Sequence, residues 1–145
     1  MVQIMTYNER IYELIESTKT LTIKRQIKWK RVTDYLDSND NYSLKHFLVS
    51  NNRYIYSRIG EPTLEECESY CSTFMDGLIF LFIYKSNFQR FCTFALQPTV
   101  GSEISKLTNE YSFQTELSAL KQIIEDVEAL TETYINSIIE HAKQA

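Results

Sequence analysis

A chain of 145 residues is long enough for one ordinary domain that buries roughly 68% of its unfolded surface. Its 43% hydrophobic content, ten tyrosines, eight phenylalanines and three glycines exclude a disordered chain and a glycine-rich phosphate loop. The net charge of −4 and pI near 5.2 carry the wrong sign for a dedicated nucleic-acid binder.

The total conceals a segregation. Residues 17–33 contain Lys19, Lys24, Arg25, Lys28, Lys30 and Arg31 and no acid, whereas residues 101–145 contain eight acids against Lys106, Lys121 and Lys143. Two readings follow. Either the basic and acidic elements face each other within the molecule or across a dimer, or each is a surface that steers a partner.

In chain order, residues 7–18 place Ile11, Leu14 and Ile15 at helical spacing, with Glu9, Glu13 and Glu16 opposite, and predict an amphipathic helix. Trp29, Val32, Tyr35 and Leu36 recur at three and four and predict a second helix from about Lys28, closed by the polar run 37–41. Ser43 is the predicted N-cap of a third helix carrying Leu44, Phe47, Leu48, Ile55 and Ile59, with Gly60 and Pro62 as its stop. A strand over 54–59 competes with the end of that helix, since Ile55, Ser57 and Ile59 alternate with Tyr54, Tyr56 and Arg58. Pro62 before Leu64, Glu65 and Glu66 predicts a short helical turn.

Residues 68–98 predict a three-stranded antiparallel meander over about 69–75, 78–85 and 88–97, because Asp76-Gly77 and Ser86-Asn87 separate strand-like runs. The run from Leu78 to Tyr84 is apolar without alternation, so both of its faces must be covered. With two-residue turns at those pairs, Cys71 lies opposite Phe82 and Cys92 opposite Leu81, which puts the two cysteines on opposite faces. From Ser112 a long helix carries Phe113, Leu117, Leu120, Ile124, Val127, Tyr134 and Ile138 on one stripe, with Ile123, Leu130 and Ile139 beside it. The expectation is a single α+β domain over residues 1–145: a three-stranded antiparallel meander flanked by N-terminal helices and a long C-terminal helix. The second stripe on the last helix predicts self-association into a homodimer.

The chemical motifs are sparse. Cys67 and Cys71 are spaced Cys-x3-Cys, not as a zinc-knuckle pair, and opposite faces forbid Cys71 and Cys92 a shared metal or disulfide, so no metal site is expected. His46 and His141 read as surface or capping histidines, with His141 placed at the negative end of the last helix. Adjacent acids such as Glu65 and Glu66 read as a solvated face, not an acid–base pair. No Walker loop, dinucleotide fingerprint or His-Glu-x-x-His is present. The reading is therefore not an enzyme and without a cofactor.

The N-terminal residues show no basic and apolar leader pattern, and the longest apolar run is far short of the roughly 20 residues a membrane helix needs. Three cysteines without a framework spacing fit a reducing compartment, so the expected location is cytoplasmic, with no membrane partner. The favoured function is a protein-binding module, a small inhibitor or regulatory accessory protein of the immunity or anti-defence type. That analogy is compositional, since small acidic α+β chains without catalytic motifs are common in those classes. The partner-binding residues would be Glu125, Asp126, Glu128 and Glu132. The competing reading is nucleic-acid binding through Lys24, Arg25, Lys28 and Arg31 around Trp29. An enzyme of unrecognised class ranks third.

Overall fold

The computed structural model describes residues 5–51, 62–86 and 89–144. In chain order the elements are α1 (Tyr7–Ile23), β1 (Trp29–Arg31), α2 (Val32–Ser38), α3 (Tyr42–Asn51), β2 (Thr63–Leu64), β3 (Tyr70–Phe74), β4 (Gly77–Ser86), β5 (Gln89–Gln97), β6 (Ser105–Lys106) and α4 (Gln114–Gln144). The α+β expectation and the antiparallel meander hold. The meander is the centre of a larger sheet of order β1-β3-β4-β5-β6, with β2 also paired to β4.

Strand β4 is the axis of the molecule, buried from Gly77 to Tyr84. Its even residues Leu78, Phe80, Phe82 and Tyr84 join Val32, Tyr35, Leu44, Leu48 and Cys71 under α2 and α3. Its odd residues Ile79, Leu81 and Ile83 join Ile11, Ile15, Cys92, Phe94, Leu117, Leu120 and Ile124 under α1 and α4. Continuous apolarity in β4 is thus explained by helices on both faces, and Cys71 and Cys92 do lie on opposite faces.

The register differs from the expected one by one step at each turn. Cys71 faces Phe80, and Cys92 faces Ile83. The first turn is Met75-Asp76, with Met75 at φ 53°, and Gly77 is already in the strand opposite Phe74. Gly77 is needed for space: a Cβ there would collide with the backbone oxygens of Gln97 and Pro98. Each shift moves the pairing by two residues, so the side-chain faces survive.

Strands β2 and β3 run along the same edge of β4, interrupted by a turn. The Glu65 amide donates to the Ile83 carbonyl, and the Ile83 amide then finds the Ser69 hydroxyl at 2.9 Å before pairing resumes at Tyr70. The helical turn expected after Pro62 is therefore a strand pair, Thr63 and Leu64 against Lys85 and Tyr84, with the turn displaced to residues 66–68.

Three further expectations change. Trp29 lies in an edge strand, not in a helix; Ile27, Trp29 and Arg31 alternate, and the helix begins only at Val32. Asn41, not Ser43, caps α3, its Oδ1 accepting from the Leu44 amide at 3.1 Å, while Ser43 donates to the Gly101 carbonyl. Helix α1 outruns the predicted 7–18 by more than a turn, because Thr18 and Thr22 continue the buried stripe of Ile11 and Ile15. Their hydroxyls are satisfied by donating to the carbonyls of Leu14 and Thr18, which lets polar residues occupy an apolar face. The predicted extension of α3 to Ile59, the competing strand over 54–59 and the Gly60 stop lie outside the described residues.

Candidate functional site: a groove with opposed charges

The basic segment and the acidic helix meet. Helix α1 ends in a paired-bond cap in which Gln26 N–H donates to Leu21 O and Arg25 N–H to Thr22 O. The left-handed position of this cap is held by Arg25 at φ 58°, where glycine would be easier. The chain then turns into β1, whose alternation directs Trp29 and Arg31 toward the face shared with α4. The Trp29 indole N–H donates to Thr22 Oγ1 at 2.9 Å, which fixes the ring against the end of α1.

Helix α4 is docked from the other side. Before it, Phe113 takes φ 58°, and in its first turn the Gln114 side-chain amide clips the backbone of Cys92, accepting from its N–H and donating to its C=O at 2.8 Å each. Leu117, Leu120 and Ile124 then bury against the sheet and α1. Beyond Ile124 the helix leaves the body, and residues 129–144 are all exposed.

Between the two lies a groove of about 550 Å³. Ile27, Trp29, Ile124 and Val127 supply its apolar lining, Arg25, Lys28 and Lys30 one charged wall, and Glu128 and Glu132 the other. Glu128 of the anionic wall is also bridged to Arg31, which does not itself line the groove, with Arg31 Nη2 3.0 Å from Glu128 Oε1. Arg31 also donates to the Cys67 carbonyl at 2.9 Å and stacks over the Tyr70 ring at 5.0 Å. The Glu128 carboxylate that accepts this hydrogen bond raises the guanidinium pKa further, and burial raises that of the Tyr70 phenol.

The structure sorts the residues singled out in the sequence. It brings together Arg25, Lys28 and Arg31 with Glu128 and Glu132, so the two rival surfaces are two walls of one groove. Glu125 is tied to Lys121 at 2.5 Å and Asp126 accepts from Gln122 at 2.9 Å, both along α4 and outside the groove lining. Lys24 is exposed at the helix cap and does not line it either. Trp29, placed in a helix by its spacing, packs half-buried against the core shared by α1 and α4 and also lines the groove. Thr22 and Ile27 were not singled out, and Val127 was read only as part of the α4 stripe; the period-two spacing of Ile27, Trp29 and Arg31 was the available signal.

His46 and His141 are exposed on separate helices, and Cys67 is exposed. Burial pushes the Cys71 thiol up to about 12 and the Cys92 thiol to about 11, away from nucleophilic use. Among the described residues, no group of three metal-binding side chains stands together. On the other face of the sheet Lys106 lies over Phe47 and Tyr84 at 5.7 and 5.6 Å, its pKa lowered by burial, a cation held against an aromatic stack. No helix among the described residues is long and apolar enough to cross a membrane. No protein-family model matches the chain, and neither curated proteins nor solved structures give a match.

Proposed function

We propose that this chain is a non-enzymatic, cytoplasmic protein-binding module, an inhibitor or regulatory accessory protein that takes a segment of another protein into the groove between residues 24–30 and α4. The supporting observation is the groove itself: an apolar lining around Trp29 flanked by a cationic wall and an anionic wall. A nucleic-acid backbone presents one sign of charge and would meet Glu128 and Glu132 beside the lysines. A polypeptide with both charges around an apolar residue meets complementary groups on each side. Arg25 held in a left-handed conformation supports the same reading, since strain is kept where a side chain is needed.

The test is pull-down from the source cell followed by titration of the purified partner, with Trp29, the chain's single tryptophan, as the fluorescent reporter. A specific protein that shifts Trp29 emission, and that binds at least tenfold more weakly to an Arg25→Glu, Lys28→Glu variant, is the expected result. A nucleic acid retained at low salt, and lost in the combined Lys24, Arg25, Lys28 and Arg31 alanine variant, would overturn it.

A further inference from the structure

Beyond the groove, α4 runs on with residues 133–144 all exposed, and its composition makes that unusual. Residues 131–139 include Thr131, Thr133, Tyr134, Ile135, Asn136, Ser137, Ile138 and Ile139, all weak helix formers. The hydroxyls of Thr131, Thr133 and Ser137 donate back to carbonyls four residues earlier and so add nothing across turns that would stiffen the helix. A helix of such residues draws its stability from packing of an apolar face. That face exists: Leu130, Tyr134, Ile135, Ile138 and Ile139 are between 41% and 69% exposed, on a stripe continuous with the buried Leu117, Leu120 and Ile124.

We infer that the occupant of this stripe is a second copy of the chain, paired antiparallel along α4 about a dyad at the Tyr134–Ile135 step. The stripe is self-complementary in that alignment, as a two-fold interface requires. Tyr134 lies level with Ile135 of the second copy, Leu130 with its Ile139, and Thr131 with its Ile138. Charge selects the direction. The acidic turn around Asp126, whose neighbours Glu125 and Glu128 are already held by Lys121 and Arg31, falls level with His141 and Lys143 of the second copy, whereas a parallel pair would set acid against acid. The helix dipoles also oppose. The paired stretch from Val127 to Ala142 spans about 23 Å, so the interface is small and the dimer dissociates on dilution. Each groove then ends against the last turn of the second copy's helix. The inference goes beyond the partner-binding reading and is tested apart from it: Val127, Glu128, Thr131 and Glu132 of the groove lie within the paired stretch, but the cationic wall of Arg25 and Lys28 stands outside it.

Sedimentation equilibrium over about 1 to 300 µM tests it, with the mass expected to rise from 17.1 kDa toward twice that value. A mass of 17.1 kDa throughout would overturn the inference and leave the groove reading standing. Leu130→Glu and Ile138→Glu, at exposed positions that leave the body folded, each hold the chain at the monomer mass; persistence of the dimer in both would remove α4 as its seat. Orientation is read in a Cys67→Ser background by mild oxidation. Ile135→Cys cross-links to its own copy, while Leu130→Cys does not, because antiparallel pairing sets the two copies of position 130 about 13 Å apart along the axis. Cross-linking at 130 but not at 135 would contradict the antiparallel pair.

Discussion

Arg31 at the end of the edge strand β1 and Glu128 on α4 are joined by an ion pair of 3.0 Å, which links the basic segment to the acidic helix. The charge segregation in the sequence is therefore in part an internal complementarity. Arg25, Lys28 and Lys30, which face Glu132 across the groove and form no ion pair among the described residues, are what a partner would meet.

The pair is more a positioning device than a source of stability. Both side chains are over a third exposed, at 35% and 44%, so a double-mutant cycle of Arg31→Ala and Glu128→Ala should return a coupling below about 1 kcal/mol. Arg31→Ala alone should cost about 1–2 kcal/mol in denaturant unfolding, because it also removes the bond to the Cys67 carbonyl and the contact over Tyr70. A coupling above about 3 kcal/mol would mean that the bridge holds α4 in place.

Arg25 offers a separation of stability from binding. Relief of the left-handed strain predicts that Arg25→Gly stabilises the fold by about 0.5–1 kcal/mol in thermal or urea unfolding. The same change removes one cation from the groove and should weaken partner capture. A variant less stable than the parent would show that the arginine side chain contributes more to the fold than its backbone strain removes.

On the α2 and α3 side, Asn41 and Gln97 form a buried amide pair. Asn41 Nδ2 donates to Gln97 Oε1 at 2.8 Å, and Gln97 Nε2 donates to Asn41 Oδ1 at 3.2 Å and to the Ser102 carbonyl at 2.9 Å. Both residues are almost fully buried. Gln97→Leu leaves the Asn41 amide only the longer bond to the Tyr35 hydroxyl at 3.4 Å, takes the glutamine bond from the Ser102 carbonyl, and should cost about 2–4 kcal/mol in equilibrium unfolding. A loss under about 0.5 kcal/mol would mean that water replaces the glutamine.

The faces of the meander were legible because β4 is apolar throughout and the turn residues limit the register to even steps, which preserve sidedness. The exact turn was not legible: Asp76-Gly77 has the composition of a hairpin tip, but the glycine is consumed by the close approach of Gln97 and Pro98. Trp29 misled because Trp29, Val32 and Leu36 fit a helical period, although Trp29 begins a strand and Val32 begins a helix. The stripe of α4 was visible from Leu117 onward, but period alone cannot say where the sheet ends beneath it; burial stops at Ile124 while Tyr134 and Ile138 repeat on the same side in the open. Of the charged residues named in the sequence, Arg25, Lys28, Glu128 and Glu132 line the groove and Lys24, Arg31, Glu125 and Asp126 do not, a sorting that required the tertiary fold.

The buried thiols predict both labelling and alkaline sensitivity. Iodoacetamide at neutral pH should modify Cys67 alone in the native protein and all three cysteines in denaturant, as read by mass spectrometry. Folding holds Cys71 and Cys92 protonated, with pKa values raised from 9.0 to about 12 and about 11 by burial. Their contribution is fully present below the unfolded value of 9.0 and is lost as pH rises through the folded values, so stability should fall between pH 9.0 and about 12. A flat stability profile over that window, or rapid native labelling of Cys71, would contradict the burial.

The central claim, that the groove and the projecting half of α4 form a face completed by protein, is tested most directly by amide hydrogen exchange along α4. With the face uncovered in dilute protein, residues 117–124 should be protected and residues 129–144 should exchange quickly, because their helix has weak intrinsic propensity and no packing. Protection of 129–144 should rise with protein concentration, and the amides of residues 24–30 should slow when the captured partner is added. Exchange in both segments that is identical at all concentrations and unaffected by partner would contradict the account.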